Sequence, residues 1–252
     1  MEHNRATRLT RVLLLALLTS LVTSAIAQNS SIDKFQSEHK AVTIERFDPK
    51  PGGVHKAVIV VHGAGGPNGG WRQTELHNAL TSAGYVVFVP HYFEGSGGEW
   101  LRSNDTKQFV AYIRTLNDAV RFGVEQAGVN KNEIGLLGFS LGGYLVLGLA
   151  EEEVSHPPAE PGPKIKAVVE MYGGMPEFAA ERLISMPPVL ILHGDKDDTV
   201  PVERAYELEK LLKKKSLPYE MKIYPGQGHG FEGAAVRDAN GRTINFLKAH
   251  LN

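Results

Sequence analysis

Gly138-Phe139-Ser140-Leu141-Gly142-Gly143 follows the apolar run 134–139 directly and leads into a stretch, 141–151, that reads as a helix. A strand that ends in Gly-x-Ser-x-Gly and continues as a helix turns so tightly that the serine hydroxyl is lifted clear of the sheet. The flanking glycines have a steric role, because a side chain at either would collide with backbone across the turn. The helix N-terminus then points at the place where negative charge on a substrate oxygen would develop. Ser140 is therefore a candidate nucleophile, and the Leu141 N–H a candidate oxyanion donor.

Outward from this turn, strand-like and helix-like segments alternate. The stretch 41–47 alternates in polarity and reads as an edge strand, while 56–62 is a continuous apolar run of the kind buried in a parallel sheet. Further strands are expected at 85–90, 133–139, 166–172, 188–193 and 219–224, with helices at 71–83, 106–127, 202–215 and 234–250. Such regular alternation implies an α/β fold with a mostly parallel central sheet and helices on both faces. The polar stretch 28–40 reads as a loose N-terminal arm, and the acidic, proline-bearing stretch 151–164 as a solvated loop. The segment 173–187 has room for one short helix and no large cap domain, which leaves an open pocket.

In open α/β sheets, ligands gather beyond the carboxyl ends of the strands. Ser140 lies there, and so do Asp195, Asp197 and Asp198 after the strand 188–193, and His229 after 219–224. A serine hydroxyl needs an imidazole to accept its proton, and the imidazole needs a carboxylate to fix its tautomer. Nucleophile, acid and histidine appear in the order Ser, Asp, His, which is that of the α/β-hydrolase fold. Spacing alone leaves Asp195 and Asp197 as rivals for the acid. A second oxyanion donor is expected from His62-Gly63-Ala64-Gly65-Gly66, with Ala64 the choice and Gly65 next. Tyr92, Phe93 and Trp100, on a glycine-rich loop at the catalytic end, and Tyr172, beside the elbow, are candidates to line a substrate site; packing onto the core is the alternative.

The stretches 138–143, 193–201 (His-Gly-Asp-Lys-Asp-Asp-Thr-Val-Pro) and 224–231 (Tyr-Pro-Gly-Gln-Gly-His-Gly-Phe) resemble the dienelactone hydrolase family. The resemblance runs from about residue 57 to the C-terminus. It implies the α/β-hydrolase fold, selects Asp197 as the acid, and places the catalytic histidine at His229. The name-giving enzymes of that family use a cysteine nucleophile, whereas this chain has serine there and no cysteine anywhere. That departure favours a serine esterase acting through an acyl-enzyme on a small-molecule ester. A non-catalytic binding protein on the same frame, or a peptidase or acyltransferase using the same triad, are the alternatives.

The 252 residues and 42% hydrophobic content suit one sizeable core, and a single domain over 28–252 is expected. Residues 1–27 read as a signal peptide: Arg5, Arg8 and Arg11 precede an apolar run at 12–22, and Ala25-Ile26-Ala27 offers a cleavage site. An exported protein, periplasmic or secreted, follows, with no membrane anchor once the leader is gone. Its removal takes basic residues from 27 to 24 and acidic ones from 28 to 27, a formal charge of -3 that suggests no nucleic-acid partner. The absence of cysteine excludes disulfides and thiolate metal sites. No cofactor is implied: Asn68 stands where a Gly-x-Gly-x-x-Gly site needs glycine, and the histidines lack His-Glu-x-x-His spacing. Oligomeric state is left open by the sequence.

Overall fold

The computed structural model describes residues 29–50, 52–96, 106–155 and 163–251. Eight strands form one sheet in the order β1-β2-β4-β3-β5-β6-β7-β8. These are β1 (Asn29–Ser37), β2 (Lys40–Asp48), β3 (His55–Val61), β4 (Val86–Pro90), β5 (Val129–Phe139), β6 (Ile165–Met171), β7 (Val189–Gly194) and β8 (Tyr219–Tyr224). β1 and β2 are antiparallel to their neighbours, and every other pairing is parallel.

The central strands are apolar on both faces because both faces are covered. Along β3, Ala57, Ile59 and Val61 enter one core with the helices α3 (Thr106–Glu125), α4 (Leu141–Ser155) and α6 (Glu203–Lys214). Val58 and Val60 enter a second core with α1 (Leu76–Ser82) and α7 (Ala234–His250). Two short helices, α2 (Phe93–Ser96) and α5 (Glu177–Arg182), follow β4 and β6 at the carboxyl end of the sheet. Only α5 stands between β6 and β7, and among the described residues no cap domain covers the sheet's carboxyl end.

Three local expectations are corrected. The stretch 29–37 is no loose arm; it is β1, paired along its whole length from Asn29 opposite Asp48 to Ser37 opposite Lys40, so the true edge strand lies outside β2. Phe35 and Ser37 are buried, and the Phe35 ring meets Phe122 of α3 at 5.9 Å between centroids. The hairpin turn carries Glu38 at φ 52 where a glycine or asparagine would have marked it. The expected helix 71–83 is split by Glu75 (φ 54) into a 3-10 turn, Gly70–Thr74, and α1. Finally, α4 runs past the expected end at 151 to Ser155, and Glu151, read as the point where helix gives way to solvated loop, is fully buried and accepts from Arg182 Nη2 at 2.8 Å.

Candidate active site

β5 delivers Ser140 at φ 56, a left-handed conformation that costs a non-glycine residue of order 1 kcal/mol or more. The surrounding backbone holds it there. Ser140 N–H donates to Met171 O at 2.9 Å, and Ser140 O accepts from Gly143 N at 2.8 Å. A Cβ at Gly138 would overlap the carbonyl of Gly142, and one at Gly142 would overlap that of Val61. Gly63 approaches from β3 so closely that its Cβ would stand 3.1 Å from both Phe139 O and Ser140 Cβ.

The loops after β7 and β8 bring the other two groups to this point. Ser140 Oγ lies 2.8 Å from His229 Nε2, and His229 Nδ1 lies 2.8 Å from Asp197 Oδ2. The second carboxylate oxygen of Asp197 accepts from Thr199 N (2.9 Å) and Val200 N (2.8 Å), so its orientation is set by backbone. Asp195, the rival by spacing, instead accepts from Gly226 N at 2.6 Å and ties the two loops together. Asp198 meets only the Thr199 hydroxyl, at 3.5 Å, among the described residues. His193 lies behind Asp197: its Nε2 is 2.8 Å from Val200 O and 3.4 Å from Asp197 Oδ2, and burial lowers its pKa.

With a carboxylate on Nδ1–H, the free lone pair of His229 is on Nε2, facing the serine hydroxyl. The relay can therefore take a proton from Ser140 as its oxygen attacks a carbonyl carbon.

The loop after β3 is built to present backbone donors. Gly63 O accepts from His62 Nδ1 (2.8 Å) and from Gly66 N (3.0 Å). A trans peptide sets its C=O and N–H antiparallel, so holding this carbonyl also fixes the Ala64 N–H. Ala64 lines the cleft beside Ser140 and Leu141; Gly65 is not among the lining residues. His62 is fully buried, and burial pushes its pKa down to about 4, which keeps it neutral with the proton on Nδ1. Arg72 pins the far side of the loop, donating from Nε to Pro67 O at 2.7 Å and from Nη2 to Glu45.

The candidate substrate contacts fare differently. Tyr92 is fully buried, donates its hydroxyl to His62 O at 2.9 Å and stacks on the His62 ring at 4.3 Å. Phe93 packs edge-on against the same ring at 5.0 Å. Both fasten the oxyanion loop to the core, because α2 folds the chain back under it straight after β4. Tyr172 lies against His229 (5.1 Å) and Phe231 (5.3 Å), and like the other two it is not part of the cleft wall. Trp100 falls outside the described residues.

The cleft itself has a volume of about 900 Å³. Phe109, Tyr144, Met175, Phe178, Val200 and Arg204 form much of its wall beyond Ser140. Apart from Val200, in the stretch 193–201, none of these belongs to a motif. They come from α3, α4, α5, α6 and the loops that precede α5 and α6, and only the winding of the chain brings them together. Glu170 is another residue the sequence reading passed over. Its one signal is a carboxylate inside the otherwise apolar end of β6.

Comparison with known proteins agrees with this architecture. Residues 46–251 match the dienelactone hydrolase family. A carboxymethylenebutenolidase homolog of Xenopus tropicalis is 30% identical over 227 residues, covering 84% of this chain and 84% of that protein. A homolog of the same name from Rattus norvegicus is 28% identical over 210 residues, covering 78% and 77%. The crystal structure of a dienelactone hydrolase from Anabaena variabilis superposes with a TM-score of 0.67 at 16% identity, covering 89% of this chain and 99% of that one, a likeness of fold.

Proposed function

We propose that this protein, which belongs to the dienelactone hydrolase family and is a hydrolase of the esterase type, cleaves carboxylic esters with Ser140 as its nucleophile. The observation that carries this reading is the continuous relay from Ser140 Oγ through both ring nitrogens of His229 to Asp197. His229 takes the serine proton during attack and returns it to the departing alkoxide, leaving an acyl group on Ser140. Asp197 holds the ring in the required tautomer and stabilises its transient positive charge. The N–H groups of Leu141 and Ala64 receive the oxyanion; such a donor is worth roughly 3 kcal/mol in the transition state. Water then repeats the sequence to release the acid.

The cleft wall pairs apolar Phe109, Met175 and Phe178 with charged Glu177, Glu181 and Arg204, and no cap covers it among the described residues. Such a cleft suits small to medium acyl groups on a freely diffusing ester. The charge pattern at 1–27 supports export, so the working protein in this proposal is a periplasmic or secreted single domain that starts near Gln28.

The test is hydrolysis of short- and medium-chain nitrophenyl esters by the purified protein and by Ser140→Ala, together with labelling by a fluorophosphonate. Turnover by the parent, its near-complete loss in a folded Ser140→Ala, and a label on Ser140 are expected. An unlabelled Ser140 in a protein without turnover would refute the reading.

A further inference from the structure

Glu170 is a fully buried carboxyl group that the relay does not use. It lies on β6, on the face shared with Val168 and turned toward α4. One oxygen, Oε1, accepts the N–H of Gly173; the other, Oε2, is buried with no hydrogen-bond partner. The turn it holds, 172–174, touches the machinery at two places. A Cβ at Gly173 would stand 2.8 Å from Ser140 O and 3.0 Å from Gly143 Cα, so this glycine bears directly on the elbow. Tyr172, in the left-handed conformation at φ 44, sets its ring edge-on to His229 at 5.1 Å. A non-glycine residue keeps that backbone only where its surroundings over-determine it. Here the ties are Tyr172 N to Leu192 O (2.8 Å) and Gly173 N to Glu170.

We infer that Glu170 is a positioning residue of the hydrolytic reaction: through Gly173 it holds the turn 172–174 against the Ser140 carbonyl and the His229 ring. The inference rests on the serine-hydrolase reading above.

The setting also dictates the form in which Glu170 works. The ionisable groups that face it are Asp197 from beyond β7, Tyr144 from α4 and Tyr172 from the turn. None is a cation, and burial pushes both phenols up, Tyr144 to about 12, so they stay neutral while esters are turned over. Desolvation, with a smaller contribution from Asp197, raises Glu170 to about 8 against the pull of the Gly173 N–H. At neutral pH it is a carboxylic acid with its proton on Oε2. Ionisation would place an unpaired charge beside Asp197 and behind the helix N-terminus that serves the oxyanion. The buried carboxylate would draw in water at the expense of the turn.

The experiment compares the full-length parent with Glu170→Gln and Glu170→Leu, measuring Tm and phenyl ester hydrolysis against pH, with fluorophosphonate labelling as a separate readout. The amide of Gln can still accept from Gly173 but cannot ionise. A folded-state pKa raised from 4.5 means that stability is fully present below about pH 4.5 and is lost as pH rises through about 8. The parent's Tm should therefore fall relative to Glu170→Gln across that window, whatever constant offset the amide introduces. Its kcat/KM should also fall roughly tenfold above about pH 8, a limb absent from the Gln variant. Glu170→Leu, which leaves the Gly173 N–H unpaired, should lose kcat by about tenfold or more with little change in KM. Parallel Tm curves and superimposable pH–rate profiles for parent and Glu170→Gln, with Ser140 labelled in both, would overturn the role of Glu170 alone. No label and no turnover in the parent would remove the underlying reading and this role with it.

Discussion

Replacing Asp197 by asparagine tests the relay at its most determinate point. One carboxylate oxygen accepts two backbone N–H groups, from Thr199 and Val200, at 2.9 and 2.8 Å. The other accepts only from His229 Nδ1 at 2.8 Å, with His193 Nε2 further off at 3.4 Å. An asparagine must leave its oxygen toward the two backbone donors, because turning its amide there would oppose donor to donor twice. The NH2 group is thus forced toward His229. Nδ1 then becomes the acceptor, the ring proton moves to Nε2, and the imidazole presents N–H to the Ser140 hydroxyl where a lone pair is needed. The wrong tautomer at such a relay costs about 10⁴ in kcat, or about 5 kcal/mol of transition-state stabilisation. Both backbone bonds survive, so folding stability should change by less than about 1 kcal/mol. The assay is kcat for a nitrophenyl ester beside a denaturant titration of the same sample. A folded Asp197→Asn that keeps more than about a tenth of the parental kcat would refute the tautomer argument. Asp197→Ala makes a useful contrast: it strands two backbone donors and should cost about 1–3 kcal/mol of stability for each.

Two further outcomes follow from packing. Gly142→Ala places a Cβ inside the carbonyl of Val61, so β3 and the elbow must move apart; we expect kcat to fall at least about a hundredfold, with a visible loss of Tm. Wild-type activity in that variant would show that the elbow is not held this tightly. Phe35→Ala removes a ring that is 4% exposed between β1 and α3, and should cost about 3 kcal/mol in urea unfolding. A cost below about 1 kcal/mol would mean that β1 is not docked on the core.

The site is assembled from loops that are each held in a different way. The elbow is held by steric fit, with glycines at 138 and 142 and close backbone on every side. The loop after β7 is held by its own carboxylate, since Asp197 takes Thr199 and Val200 N–H before it reaches His229. The oxyanion loop is held by side chains from elsewhere: Tyr92 on His62 O, His62 on Gly63 O, and Arg72 on Pro67 O. Rings at 92 and 93 that sequence position would allow in the cleft are thereby committed to supporting it.

What the amino-acid sequence determined by itself is the part of this protein governed by local rules. Apolar runs of strand length, separated by amphipathic helices, dictate a parallel sheet covered on both faces; Gly-x-Ser-x-Gly between a strand and a helix dictates an elbow. Chain order places Ser140, the aspartates and His229 at one end of that sheet, since every parallel strand delivers its following loop to the same side. Tertiary structure decided whatever depends on which surfaces meet. β1 looked like a polar arm because a strand paired at a sheet edge needs few apolar residues, and among its described side chains only Phe35 and Ser37 are buried. Asp195 and Asp197 are two residues apart on one loop, and only their partners, Gly226 for one and His229 for the other, separate a brace from an acid. The cleft wall and the placement of Glu170 behind the elbow belong to the same class. A residue's neighbours across elements are set by how strands and helices stack in space, and no pattern along the chain encodes that stacking residue by residue.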